Sequence, residues 1–240
     1  MKCHLIEGAA GCDYALERQC VAVVVDALRA SATAAYLLHA GATEIVVVRE
    51  VEDAYAAHRV YPGALLAGER GGLPPEDFDL GNSPRQVETA AGHRVIFTTT
   101  TGAGRLVACW GAPAVYMGST VNATAVARAA ASHGRDVVLI PAGLMNDPRF
   151  DAQEDWVAAT AIATMLNLPV GEGAEQYTKW RSRIKSEGIP RLFHSAPHAE
   201  KLREAGLGAD IPFCAQLDSV GAVPLVLGRN EFGVTVGTAR

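Results

Sequence analysis

Short apolar runs alternate with amphipathic or Ala-rich stretches from residue 21 to about residue 166. The runs Val21–Val25, Ile45–Val48, Leu65–Ala67, Val95–Phe97, Ala114–Met117 and Val137–Ile140 are rich in β-branched residues and apolar on both faces. That is the pattern of strands buried inside a parallel sheet. Between them, Ser31–Ala40 predicts a helix stopped by Gly41, and Val121–His133 one stopped by Gly134, each glycine supplying a left-handed terminus. Alternation of this kind predicts an α/β fold, a mostly parallel or mixed sheet with helices on both faces. Beyond Leu168-Pro169 the periodicity weakens. Gly171-Glu172-Gly173, the basic stretch Lys179–Lys185 and Gly188-Ile189-Pro190 predict helices joined by loops, and Val223–Leu227 with Phe232–Val236 predicts a C-terminal hairpin. No low-complexity linker interrupts the chain, so residues 1–240 read as a single α/β domain, with 168–173 as the place for any subdivision.

Composition narrows the classes of function. The 240 residues are 49% hydrophobic and 20% charged, enough apolar surface for a large core. A net charge of −5 argues against a nucleic-acid partner, which needs a basic face. It does not argue against a small anion, because a local Arg and main-chain N–H groups outweigh distant charge. No apolar run approaches the roughly 20 residues of a membrane span, and Met1–Glu7 has no long apolar segment, so a soluble cytoplasmic protein without membrane partners is expected. The five cysteines, at 3, 12, 20, 109 and 214, are odd in number and unclustered, which predicts reduced thiols.

Candidate chemistry sits where strands run into small or hydroxyl residues and then a helix. In an open parallel sheet those loops share one edge, where ligands bind. Here they hold Asp26, Arg29 and Ser31, then Thr99 to Gly104, then Ser119, Thr120 and Asn122. Their helix N-termini offer N–H groups to an anion, although Ser and Thr at such positions also serve as plain helix caps. Arg29 adds a fork suited to phosphate. Asp26 would repel that phosphate unless a divalent cation lay between them, and Mg²⁺ takes one or two carboxylates together with waters and phosphate oxygens. The loop from Gly68 to Pro84 is long, rich in Gly and Pro, and carries four acids, an arginine and an asparagine, as functional loops often do. Glu154-Asp155, after Asn146-Asp147-Pro148, opens an Ala-rich helix, where acids are commonly caps.

Several templates are absent. There is no G-x-x-x-x-G-K loop, no H-E-x-x-H or C-x-x-C pair and no G-x-S-x-G elbow. Cys12 and Arg18 have the spacing of cysteine-dependent phosphatases, but the segment between them lacks glycine and carries two acids. Val25-Asp26 is similar to the nucleophile strand of haloacid-dehalogenase-type phosphatases, yet Leu28 stands where a second Asp is expected. The seven histidines are scattered and read as surface or core residues rather than ligands or bases.

An ordered set of motifs along nearly the whole chain resembles the 2-phosphosulfolactate phosphatases, Mg²⁺-dependent enzymes associated with coenzyme M biosynthesis. Val25-Asp26-Ala27-Leu28-Arg29-Ala30-Ser31 resembles the family's V-D-x-L-R-A-[ST] motif. Gly68-Glu69-Arg70-Gly71-Gly72, with Phe78 and Gly81-Asn82-Ser83-Pro84, is similar to its most distinctive loop. Glu154-Asp155 after Pro141-Ala142-Gly143, then His194-Ser195, then Cys214 with Asp218, resemble its later motifs. One departure stands out. Where the family reads T-T-N-G-T, this chain reads Thr99-Thr100-Thr101-Gly102-Ala103, losing an amide and a hydroxyl.

The resemblance implies a phosphoric monoester hydrolase that converts 2-phosphosulfolactate to sulfolactate and phosphate. It implies Mg²⁺ held by Asp26 and one or more of Glu69, Glu154 and Asp155. Arg29 and Arg70 would act with Asp26 and Glu69 in catalysis. Ser31, Asn82, Ser83, Thr99, Thr100, Thr101, Gly102, Ser119, Thr120 and Asn122 would surround the substrate. Arg70, Arg149 and the 179–185 stretch are candidates for a second anionic group on the substrate. A homo-oligomer is compatible with the sequence. The rival reading is a phosphate- or carboxylate-binding sensor that has lost turnover, kept open by the altered Thr101/Ala103 loop.

Overall fold

The computed structural model describes every residue except Asn146, Pro148 and Arg240. Asn146 and Pro148, part of the segment noted above before the Ala-rich helix, therefore lie outside the described residues. Ten strands occur among those described: β1 (Cys3–Leu5), β2 (Val21–Val25), β3 (Glu44–Val48), β4 (Leu65–Gly68), β5 (Leu80–Gly81), β6 (Arg94–Thr98), β7 (Val115–Met117), β8 (Val137–Pro141), β9 (Pro224–Arg229) and β10 (Gly233–Thr238). They form one mixed sheet in the order β1-β8-β2-β7-β9-β10-β3-β6-β4-β5. All six predicted internal strands and both strands of the predicted hairpin are present. The hairpin is last in sequence but central in space. It pairs antiparallel with β7 on one side and β3 on the other, joining two parallel half-sheets.

The helices are α1 (Gly8–Glu17), α2 (Ala30–His39), α3 (Val51–Val60), α4 (Gly102–Ala108), α5 (Ala123–Ala131), α6 (Gln153–Leu166), α7 (Ala174–Glu187), α8 (Ile189–His194), α9 (Pro197–Glu204) and α10 (Ile211–Cys214). They cover both faces, which is why β2, with sequence VAVVV, is buried at every residue. Its Ala22 and Val24 pack with α1, α2 and α4, while Val21, Val23 and Val25 pack toward α5, α6 and the C-terminal helices. The same period-2 alternation divides β3, where Val46 and Val48 meet α3. Both predicted helix stops occur, with φ of 98° at Gly41 and 66° at Gly134. Helix α6 is apolar nearly all round because it lies between the sheet and its neighbours α5, α7 and α8. No helix among the described residues is long and apolar enough to cross a membrane, and the five cysteines are free and buried.

Candidate active site

The carboxyl ends of β2, β4, β6 and β8 lead into loops that meet in one cleft of about 190 Å³. Asp26 follows the last residue of β2. Its backbone N–H donates to Ser31 Oγ at 3.0 Å, and its Oδ1 accepts the Ala30 N–H at 3.2 Å, so the first turn of α2 fixes the carboxylate. Gly102, opening α4, abuts the other oxygen. A Cβ there would lie 2.6 Å from Asp26 Oδ2 and 2.9 Å from the Ala30 methyl, so close approach requires glycine.

Glu69 follows β4 and is bound by the main chain. Its Oε1 accepts the Thr100 N–H at 2.7 Å, and its Oε2 accepts from the Gly72 N–H at 2.9 Å and the Thr100 hydroxyl at 3.1 Å. One carboxylate thus ties the Gly-rich loop to the loop after β6. Asp155 does the same across the other half of the cleft. Its Oδ1 accepts the Ala27 N–H at 2.7 Å and its Oδ2 the Gly143 N–H at 3.2 Å. Asp155 is therefore not a cap of its own helix; its bonds go to the loops after β2 and β8. Glu154 lies behind the cleft wall, where its Oε1 meets His198 Nδ1 at 3.1 Å and its buried Oε2 has no partner among the described residues.

The electrostatics follow from these acids sharing a small space. Burial pushes the Asp26 carboxyl up to about 6; the positive His198 opposes that rise, while Glu69 and Glu154 add to it. Burial, then Glu154 and Asp26, hold Asp155 well above the usual carboxylate range. Burial alone would lower His198, but its hydrogen bond to Glu154 and the charges of Glu154 and Asp26 outweigh that and raise it. A pocket with this excess of carboxylates favours a cation.

Arg29 is buried on the cleft wall, with Nη1 donating to Asp210 Oδ2 at 2.7 Å and Nη2 to the Gly72 carbonyl at 2.8 Å. Asp210 also accepts from Ser83 Oγ at 2.7 Å. Asn82 lines the cleft with its buried Oδ1 unpartnered among the described residues, and Thr100 and Thr101 line it too.

Other predicted residues stand elsewhere. Arg70 does not line the cleft; its guanidinium donates to the Glu69 and Arg49 carbonyls and to Thr98 Oγ1, fastening the strand ends. Ser31 Oγ donates to the Val24 carbonyl at 3.1 Å, and Thr99 Oγ1 accepts the Ala103 N–H at 3.0 Å in the first turn of α4. Ser119, Thr120 and Asn122 are fully buried. Ser119 and Asn122 form a reciprocal cap, while Thr120 Oγ1 donates to the Cys214 carbonyl and Asn122 Nδ2 to the Ala222 carbonyl, holding the C-terminal segment. Helix capping describes Ser119 and Asn122, while Thr120 Oγ1 and Ser31 Oγ bind main-chain carbonyls of other segments.

A family model described as 2-phosphosulpholactate phosphatase matches residues 11–228. The chain belongs to that family. Relatives named "Probable 2-phosphosulfolactate phosphatase" include one from Deinococcus radiodurans, 37% identical, covering 88% of this chain and 89% of its own. Another from Carboxydothermus hydrogenoformans is 35% identical over 84% of each chain, and one from Thermus thermophilus is 36% identical over 87% of this chain and 89% of its own.

Within this phosphatase-family chain, sequence reasoning missed Asp210, His198, Lys201 and Phe150. His198, Lys201 and Phe150 line the cleft, and Asp210 sits immediately behind it. None belongs to a quoted motif, and Asp210 is 181 residues from the arginine it pairs with. His198, one of the seven scattered histidines, is the one that lines the cleft among the described residues. The altered loop is also explained in part: Thr101 Oγ1 accepts the Met145 N–H at 3.3 Å, and Ala103 is buried against the core.

Proposed function

We propose that this chain hydrolyses the phosphate ester of a small hydroxy acid, converting 2-phosphosulfolactate and water to sulfolactate and inorganic phosphate. The observation that carries this reading is the convergence of Asp26, Glu69, Asp155 and Arg29 on one cleft, in a chain aligned to phosphatases over most of its length.

The donor set can be tested against Mg²⁺. Among the described residues no three His, Cys, Asp or Glu side chains converge as a ready-made metal cage. Mg²⁺ does not need one, since it keeps several waters and takes few carboxylates. Asp26 borders the cleft, and Asn82 Oδ1 is buried without a partner among the described residues, so oxygen donors of the right kind are available. Both oxygens of Glu69 and of Asp155 already accept N–H groups. The chemistry fits an ion held by Asp26 and completed by water and substrate, with Glu69 and Asp155 supplying field and rigidity. When bound, such an ion neutralises phosphate charge and makes water a better nucleophile.

The protein's own residues do the rest. Arg29, held by Asp210 and Gly72, keeps further N–H groups for phosphate oxygens and cannot swing away. Thr100 and Thr101 place small hydroxyl groups along the same wall. Asp26 either orients the attacking water or attacks phosphorus itself, and trapping an aspartyl-phosphate on Asp26 would establish the second route.

The test is phosphate release from a panel of phosphorylated hydroxy acids with Mg²⁺ or with EDTA. Chelation is expected to lower the rate on the order of 10²-fold or more, with recovery on adding excess Mg²⁺. Tight binding of a panel member without release would favour the sensor instead. A second expectation concerns Gly102→Ala. The added methyl must displace Asp26, so the rate should fall roughly 10²-fold, and overpacking should remove about 1–3 kcal/mol of stability. Activity assays and a thermal melt read both effects, and wild-type values would show that Asp26 does not need its present position.

A further inference from the structure

The substrate proposed above carries three acidic groups: a phosphate ester, a carboxylate on the same carbon, and a sulfonate on the neighbouring methylene. The cleft has few cations to meet them. Arg29 is already committed to Asp210 and Gly72, and the wall formed by Asp26, Glu69 and Asp155 repels anions that lack a counter-cation. The other basic side chains of the cleft come from α9. His198 and Lys201 lie three residues apart on it, one above the other on a single face, and both line the cleft.

Their neighbours hold them ready. Glu154, itself buried, fixes the His198 ring through Nδ1. The Lys201 ammonium lies 4.4 Å from the centroid of Phe150, which also lines the cleft. Among the described residues Lys201 forms no ion pair, whereas Glu200 and Arg203 on the same helix pair with each other. Lys201 is therefore a steadied positive charge at the cleft rim whose own donors are still free.

We propose that Lys201, steadied by Phe150 and flanked by His198, binds the sulfonate of the substrate and sets the preference for a sulfonated over a plain hydroxy acid phosphate. The inference rests on the phosphatase reading above. Phosphate and carboxylate share a carbon, so both stay near Asp26 and Arg29. Hydrolysis holds the phosphate there, and rotation about the bond to the methylene lets the sulfonate turn toward α9. A lysine suits it, because a compact charge with rotatable donors pairs with three equivalent oxygens without the planar match a guanidinium requires.

The other basic candidates are placed elsewhere. Arg149 is exposed and does not line the cleft. On α7, Arg183 is tied to Glu187 and Gln153, and Arg181 and Lys185 border a separate groove.

The test compares wild type with Lys201→Met, which keeps the stem over Phe150 and removes the charge, and with Lys201→Arg, which restores it. The quantity to measure is the ratio of kcat/KM for 2-phosphosulfolactate to that for 2-phospholactate, which lacks the sulfonate. Losing one charge-assisted bond should lower that ratio roughly tenfold or more in Lys201→Met, through KM rather than kcat, with Lys201→Arg close to wild type. Calorimetric titration with sulfolactate should show the same loss of affinity. An unchanged ratio, whether both substrates suffer equally or neither does, overturns the assignment. Should the wild type release phosphate from neither compound, the phosphatase reading fails by itself. The sulfolactate titration then still decides the subsite, because no binding to wild type, or equal binding to Lys201→Met, overturns it.

Discussion

Asp26→Asn is expected to abolish phosphate release, by on the order of 10³-fold or more, while leaving the metal-free protein at least as stable as wild type. The two effects have one cause. Asp26 stands in a cleft with Glu69 and Asp155, and burial, with Glu69 and Glu154 adding to it, holds its carboxyl at about 6. Below the range of a free aspartate the group is protonated in both folded and unfolded chains, so it contributes no penalty. As pH rises toward 6 the unfolded chain ionises first, and above 6 the folded state carries the full cost of a buried charge among like charges. Asparagine keeps the shape, can still accept the Ala30 N–H, and removes that cost. Thermal melts in EDTA at neutral pH should therefore give an equal or higher midpoint. Adding Mg²⁺ should raise the midpoint of wild type but not of the variant, because only wild type offers the carboxylate. A variant that retained activity would remove Asp26 from the chemistry altogether.

Asp210→Ala should produce the largest loss of stability. The Arg29 and Asp210 side chains are 2% and 3% exposed, and their contact is 2.7 Å. Removing the acid leaves a buried guanidinium without a counter-charge and deprives Ser83 Oγ of its acceptor. Breaking such a pair costs about 3–5 kcal/mol, which for a chain of this size lowers Tm by roughly 6–20 °C. Scanning calorimetry measures it directly. Activity should fall as well, since Arg29 loses the contact that aims it. A near-native Tm would mean that Arg29 finds another partner or reaches solvent, and that Asp210 is dispensable to the cleft wall.

Much of the architecture was readable along the chain because buried strands advertise themselves. Runs such as Val21–Val25 are too apolar and too β-branched to be anything but interior. The two missed strands, Cys3–Leu5 and Leu80–Gly81, are three and two residues long and owe their form to pairing with β8 and β4. The motif residues Asp26, Glu69 and Asp155 were readable as functional candidates, and the structure brings them into one cleft. Arg70, in the same loop as Glu69, and Asn122, after β7, were equally readable as candidates. What separates them is direction: Arg70 turns to strand-end carbonyls and Asn122 to the Ala222 carbonyl, and sequence carries no information on that choice. His198, Lys201 and Asp210 lie where periodicity is weakest, on short helices whose place is decided by packing against distant parts of the chain.

The position of the β9–β10 hairpin bears on how this protein is made. The strands that join the two half-sheets come later in the chain than every strand they join. During vectorial synthesis, β3 and β7 must wait with unpaired backbone edges until residues 224–238 leave the ribosome. A nascent chain stalled before that point holds two incomplete sheets, each offering an open edge to a neighbouring polysome product. Chaperone protection is thus needed most in the last stretch of translation, and a nonsense mutation that spares every cleft residue through Asp210 would still leave a sticky, unfinished molecule.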